Sequence, residues 1–373
     1  MSSVTFSHII RYTIYMHMRR QGISPSIFRA YDIRGIYPSE IDERAAYLIA
    51  RAFAHQVRMM SEPPSGGTKK RLRMLVSSDA RQSSPSLKES FVRGLLEEGV
   101  QVIDAGLTTT PMHTFCVHHT KADGGAMITA SHNPAQFNGI KLMGPGGVPI
   151  AQGSGIEEIG HVAQRAIFSR KVSRGSIKKE NFLPAYLHFF KAKFSDLASA
   201  QYCPLPSKKK CLLMFDTGNG MVGLILRKLL EQFPIFQFKI LYEETDMTFP
   251  HHEANPIKPE NMRDLQKAIQ KNSVVLGAAF DGDGDRVGFV DEKGESIPGD
   301  FITALLGRYF LEKSGSKEAV VFDGVRASRV VREEIEQIGG RAIEERVGHS
   351  FIKLAMRREH AIFGGEMSGH FYF

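Results

Sequence analysis

Hydrophobic positions along the chain fall into short apolar runs alternating with stretches of helical spacing, and the pattern repeats three times. The first copy opens on Arg73-Met-Leu-Val-Ser77 and passes through a helix near 87–98, a strand at 100–104 and a helix near 112–119. It ends on Gly125-Ala-Met-Ile-Thr129. The second opens on Cys211-Leu-Leu-Met-Phe215, with helices near 222–233 and 261–271 and a closing strand at 274–280. The third opens on Ala319-Val-Val-Phe322, with helices near 328–338 and 350–358 and a closing strand at Ala361-Ile-Phe363. Short apolar strands alternating with helices predict right-handed βαβ units and parallel or mixed sheets. A repeat spaced by more than a hundred residues marks duplicated domains rather than a solenoid. Linkers are expected near 170–181, where charge, Ser and Gly collect, and near 294–300.

After the closing strand of each copy comes a polar loop, where ligands collect in such sheets. The loops are Thr129-Ala-Ser-His-Asn-Pro134, Asp281-Gly-Asp-Gly-Asp-Arg286 and Gly364-Gly-Glu-Met-Ser-Gly-His370. Three equivalent places with three different chemistries predict one shared cleft.

In the acidic loop, Asp281, Asp283 and Asp285 alternate with glycines that let several carboxylates face one point. Hard oxygen donors at that density suit Mg²⁺ or Ca²⁺. The EF-hand template does not fit, since the segment follows a strand and not a helix. Three carboxylates leave open positions for a Lewis-acid role on phosphate oxygen, and Arg286 can grip a phosphoryl oxygen in bidentate fashion. The competing reading is a surface acidic hairpin, but three spaced carboxylates beside a buried strand repel one another without a cation.

Ser131 is a nucleophile candidate, although a Ser before His-Asn-Pro is by itself more often a turn former. His132 is adjacent in sequence and need not face it. If phosphorylated, Ser131 would offer acceptor oxygens to the metal. Lys141, on the following strand, can neutralise charge or handle a hydroxyl proton. In the third loop, Glu366 and Ser368 alternate with Met367 and can point to one side for sugar hydroxyls, while His370 can exchange protons near neutrality. One further motif competes. Gly218-Asn-Gly-Met-Val-Gly223 fits a dinucleotide fingerprint with Glu243 as its ribose acid, yet the preceding strand delivers Asp216 to the turn and the other two loops would be left without a role.

Composition narrows the field. At 373 residues the chain is long enough for two or three domains, and 42% hydrophobic against 24% charged residues is a globular balance. No run approaches the roughly 18 apolar residues that cross a bilayer. The net charge of +8 is spread among acids, which suits small anionic substrates better than nucleic acid. Cys116, Cys203 and Cys211 have no metal-ligand spacing and predict free thiols in a reducing cytoplasm. The segment before Tyr31 has no acid, and Arg11 breaks its only candidate signal core; it reads as an extension or as an early start, with Met16 or Met18 as the true one.

Together with Phe28-Arg-Ala-Tyr-Asp-Ile-Arg-Gly35 and Gly348-His-Ser-Phe-Ile-Lys353, the three loops resemble the α-D-phosphohexomutases, the bacterial phosphomannomutase/phosphoglucomutase branch above all. The resemblance runs from about Ser26 to the last residue. It implies three repeated αβα domains with mixed sheets around one cleft, divided as an extension (1–25), a phosphoserine-loop domain (26–176), a metal-loop domain (177–297) and an incomplete sugar-loop domain (298–373). The family's fourth domain, with its phosphate-binding loop, is expected to be absent, and the third to expose apolar surface where its closing helix would lie.

The resemblance further implies that Ser131 is the phosphoserine and that Asp281, Asp283 and Asp285 hold Mg²⁺ with it. Arg34, His132, Lys141, Arg286, His349 and His370 would line the catalytic cleft, and Tyr31, Arg326, Glu366 and Ser368 would contact substrate. The implied reaction interconverts hexose 1- and 6-phosphates of mannose or glucose through a hexose 1,6-bisphosphate. A remnant that binds without turnover, a phosphoglucosamine mutase and a metal-dependent phosphatase are the competing readings. Met367 stands where glucosamine enzymes more typically carry Gln.

Overall fold

A computed structural model describes residues 23–61, 71–168, 173–198, 211–315 and 317–373. Most of the expected extension therefore lies outside the described residues. Three sheets follow one another along the chain.

In the first, β2 (Arg73–Ser78) lies between parallel β3 (Gln101–Leu107) and β4 (Gly124–Ile128), and β5 (Phe137–Met143) runs antiparallel beside β4. β1 (Ile33–Ile36) and β6 (Ser176–Lys179) form its edges. The second repeats this plan with β7 (Cys211–Asp216) between β8 (Phe236–Leu241) and β9 (Leu276–Phe280), followed by antiparallel β10 (Val287–Val290) and β11 (Ser296–Ile297). In the third, β12 (Ala319–Asp323) lies between β13 (Arg341–Glu345) and β14 (Phe363–Gly365), with antiparallel β15 (Phe371–Tyr372) beside β14. The mixed α/β character read from the hydrophobic pattern holds in all three.

Each central strand feeds two cores, because side chains alternate across a sheet. Met74 and Val76 face the layer containing α1 (Glu43–Ser61), α2 (Ser84–Glu97) and α4 (Ile156–Arg165), while Leu75 faces α3 (Thr110–Thr120) and α5 (Leu183–Lys193). Met214 packs on Leu265 and Ile269 of α7 (Arg263–Gln270), and Phe215 on Leu226 and Leu230 of α6 (Leu226–Leu230). Val320 and Phe322 face α8 (Gly299–Ser314) and α9 (Arg329–Gln337); Val321 faces α10 (His349–Glu359).

Three features differ from the sequence reading. The segment read as a linker at 170–181 supplies β6, which pairs with β3. Its side chains are exposed, so no apolar alternation announces it. Helices α1 and α8, which the sequence reading did not place, stand ahead of the central strands of the first and third units, and α8 leaves Phe301, Leu305 and Tyr309 exposed. Cys116 is free and buried as expected, but Cys211 is disulfide-bonded and so is not the free thiol expected. No helix among the described residues is long and apolar enough to cross a membrane.

Candidate active site

All three polar loops occupy the same place, between the last parallel strand of a unit and the antiparallel strand beside it. The loop after β4 holds Ser131 in the left-handed region at φ 53°, a conformation a non-glycine residue adopts only when its surroundings impose it. Those surroundings are Arg81, 1% exposed and absent from the sequence reading. Its guanidinium donates to the carbonyls of Ser131 (2.8 Å), Asn133 (2.6 Å), Pro134 (2.8 Å) and Phe137 (3.0 Å), and to Asp79 at 3.1 Å. Buried Asp79 in turn accepts from Ser84 Oγ at 2.5 Å. Only the order Asp-Ala-Arg after an apolar strand marks this anchor in the sequence.

The loop after β9 abuts this one. The Ser131 hydroxyl donates to Asp281 Oδ2 at 2.6 Å, and His132 Nδ1 lies 3.1 Å from Ser131 Oγ, so His132 does face Ser131. A Cβ at Gly282 would stand 2.4 Å from the Ser131 carbonyl oxygen, so this glycine permits the close approach. Asp283 receives Thr110 Oγ1 at 2.7 Å, and its backbone carbonyl accepts from the Thr110 N–H that opens α3. Lys141 reaches across from β5 to Asp283 (2.7 Å) and Asp285 (2.6 Å). Burial opposes the charge of its ammonium, but the two carboxylates outweigh that and hold its pKa above the ordinary value. Lys141 is therefore a fixed positive charge in this arrangement.

The carboxylate oxygens of Asp281, Asp283 and Asp285 lie within 4.8 Å of one another, and Asp283 Oδ1 is buried with no hydrogen-bond partner. An orphaned carboxylate oxygen in an all-oxygen donor set fits a hard divalent cation. Burial, then the charges of Asp285 and Asp283, push Asp281 up to about 7. A raised carboxyl pKa means the folded state holds its proton longer than the unfolded chain. Stability of the metal-free protein is thus expected to fall as pH rises from about 4 to about 7. Mg²⁺ at a hundred times its dissociation constant should add about 2.7 kcal/mol at neutral pH. Thermal melts with EDTA or Mg²⁺ at pH 5 and pH 7.5 check both, and equal melting temperatures throughout would refute them.

The third loop joins from the side of Asp285. His370, 4% exposed, bonds Asp285 through Nε2 (3.2 Å), and its Nδ1 lies 2.9 Å from Ser368 Oγ and 3.0 Å from Glu366 Oε2. Burial lowers its pKa, but Asp285 and Glu366 more than compensate and raise it above the usual imidazole value. Arg286 approaches the same ring, with Nε 3.3 Å from Nε2. Glu366 is 1% exposed, and its oxygens also accept from the Gly348 N–H (2.7 Å) and the Tyr372 hydroxyl (2.7 Å). In this state Oε1 has one donor and Oε2 two, so Glu366 orients His370 and the start of α10. His349 packs beside His370 at 5.9 Å between ring centroids; burial and then Lys353 hold it neutral.

Arg34 donates to Asn133 Oδ1 at 2.5 Å and to Asp32, next to the Ser131 loop. Tyr31 donates to the Val347 carbonyl at 3.0 Å and its ring meets His349 and Phe351, so it ties the first unit to the third. Arg326 stands apart: it is exposed on the turn after β12, with no hydrogen bond or ion pair of its guanidinium among the described residues. Tyr372 and Lys353, whose ammonium lies 5.3 Å over the Tyr372 ring, join the cluster without having been singled out in the sequence.

The comparisons with known proteins agree with this geometry. Family models for the phosphoglucomutase/phosphomannomutase alpha/beta/alpha domains I, II and III match residues 25–168, 185–294 and 298–373. A phosphomannomutase of Vibrio cholerae is 36% identical over 351 residues, covering 93% of this chain and 72% of its own. A phosphoglucomutase of Neisseria gonorrhoeae is 36% identical over 352 residues, covering 94% and 71%. The crystal structure of a phosphoglucomutase/phosphomannomutase family protein from Burkholderia thailandensis superposes with a TM-score of 0.82 at 29% identity, over 94% of this chain and 72% of that one. With all three domains matched in order and the polar loops gathered at one seam, the chain belongs to the phosphoglucomutase/phosphomannomutase family of phosphohexomutases.

Proposed function

We propose that this phosphohexomutase interconverts hexose 1-phosphate and hexose 6-phosphate, of glucose, mannose or both, through a phosphorylated Ser131 and a hexose 1,6-bisphosphate. The observation that carries the reading is the seam itself. Ser131 Oγ stands 2.6 Å from Asp281, at the meeting of two loops that come from different domains. A strained serine, three aspartates and a buried lysine that meet at one seam support a shared reaction there.

Asp281, Asp283 and Asp285 would hold Mg²⁺, with the Ser131 oxygen or its phosphoryl group as a further ligand. When bound, the ion supplies Lewis-acid withdrawal of charge from a phosphoryl oxygen. The chain's own residues do the rest. Lys141, Arg34 and Arg286 neutralise and orient phosphoryl charge, which is most of what such a transfer asks of a protein. The P–O bond to Ser131 breaks as one forms to the sugar hydroxyl, whose proton leaves to a cleft base or solvent while the departing Ser131 oxygen takes one up. In the second half the Ser131 oxygen takes the other phosphate as its own proton passes to a cleft base or solvent, the P–O bond to the sugar breaks, and His370, whose pKa Asp285 and Glu366 raise, can give a proton to the departing sugar oxygen. His132, which burial and then Arg286 and Arg34 hold neutral, lies 3.1 Å from Ser131 Oγ through Nδ1 and can steady it between turnovers.

The test is conversion of glucose 1-phosphate and mannose 1-phosphate to the 6-phosphates with Mg²⁺ and a trace of glucose 1,6-bisphosphate. Turnover in the ordinary range of about 1–10³ s⁻¹ is expected for at least one sugar. A folded chain that forms no 6-phosphate, or releases more inorganic phosphate than isomerised sugar, would overturn the reading.

A further inference from the structure

The glycines of the Gly218–Gly223 motif are structurally demanded by close backbone packing. A Cβ at Gly220 would stand 2.9 Å from the Gly282 carbonyl oxygen, and one at Gly218 3.0 Å from Ala254 Cβ. The Met221 N–H, inside the motif, donates to that Gly282 carbonyl at 2.9 Å, and the Gly282 N–H donates to the Ala254 carbonyl at 3.1 Å. The peptide units flanking Gly282, between Asp281 and Asp283, are thus held on two sides, by the glycine turn and by the segment around Ala254.

Both holders are fixed by one ion pair. Asp216, 1% exposed at the end of β7, accepts from the Gly218 N–H at 2.8 Å and faces His252 Nε2 at 3.1 Å. His252 Nδ1 lies 2.9 Å from the Glu253 carbonyl. A carbonyl and a carboxylate can only accept, so the ring satisfies both contacts only when both of its nitrogens carry hydrogen. Burial works against that charge, but the bonds to Asp216 and to Glu253 raise its pKa. Asn219 adds a second tie, receiving His251 Nδ1 at 2.7 Å and donating to the Glu244 carbonyl at 2.8 Å.

We propose that His252 and Asp216 are positioning residues for the cation of this site, acting through the glycine turn and Ala254 on the backbone that aims Asp281 and Asp283. The proposal rests on reading Asp281, Asp283 and Asp285 as the cation site. Partners that orient ligands in this way are worth about 10–100-fold in metal affinity.

The test is calorimetric titration of Mg²⁺ into the full chain, with the melting temperature measured in parallel. His252→Gln and Asp216→Asn should each weaken Mg²⁺ binding by about 10–100-fold. The double variant should recover part of the loss, because removing both members leaves no unpaired buried charge. Tyr242→Phe, which removes a bond to Asp264 in the same neighbourhood, should leave affinity unchanged. Unaltered Mg²⁺ affinity in both single variants would overturn the proposal, as would a loss equally large in Tyr242→Phe. Absence of Mg²⁺ binding by the unaltered chain would overturn the cation reading and this proposal with it.

Discussion

Ser131→Ala is expected to abolish turnover, a loss on the order of 10⁴-fold or more, while the chain stays folded. Removing a nucleophile leaves only binding and charge stabilisation behind. The substitution deletes one oxygen with two partners, Asp281 and His132, and both keep other polar neighbours or solvent. Alanine tolerates φ 53° no worse than serine while Arg81 still fixes the loop carbonyls. The check has two parts. Incubation with glucose 1,6-bisphosphate should place a phosphoryl group on the Ser131-containing peptide of the unaltered chain, read by mass spectrometry, and none on Ser131→Ala. The mutase assay should fall to background in the same sample. Turnover that survives the substitution would rule out a relay through this serine.

Much of the fold was legible in the chain because the repeated central strands are buried on both faces and read as apolar runs. Met74-Leu-Val76 and Val320-Val-Phe322 feed cores on both sides of their sheets, so every position is hydrophobic. Edge strand β6 escapes the same reading. Its stability comes from backbone pairing, and its exposed Ser-Ile-Lys-Lys side chains carry no pattern. The three loops were found because each packs unusual polar residues directly after an apolar run. What joins them was not legible. Lys141 bridging two aspartates of another domain, and Tyr31 bonded to the Val347 carbonyl, are contacts between residues over a hundred positions apart.

Glu366 shows a different limit of sequence reasoning. Alternation with Ser368 says both side chains can share a face, and they do converge on His370. It does not say which polar groups are consumed internally. A buried carboxylate must find donors, and Glu366 finds the Gly348 N–H, Tyr372 and His370 before any ligand arrives. The glycine motif misleads for a related reason: close backbone approach is the physical demand in a dinucleotide fold and here alike, and only the partner differs.

Arg81→Met should cost about 3–5 kcal/mol of stability, the usual penalty for removing one member of a buried charged pair. Methionine matches the length of the aliphatic stem but supplies no donor. Asp79, 0% exposed, would lose its cation, and the carbonyls of Ser131, Asn133, Pro134 and Phe137 would lose theirs together. Burial already raises the Asp79 pKa against the pull of Arg81 and Ser84, so without Arg81 this carboxyl is driven further toward its neutral form. The loop would then relax from φ 53°, and Ser131 would lose its aim at Asp281. Arg81→Lys separates the two consequences. A lysine keeps the charge beside Asp79, so most stability should survive, but three donors on one atom cannot span carbonyls from Ser131 to Phe137. Urea denaturation should therefore rank the unaltered chain above Arg81→Lys and Arg81→Lys above Arg81→Met, while turnover should be depressed in both variants. Full turnover in Arg81→Lys would show that the serine loop holds its geometry without the guanidinium fork, and an unchanged urea midpoint in Arg81→Met would show that this buried network contributes no stability.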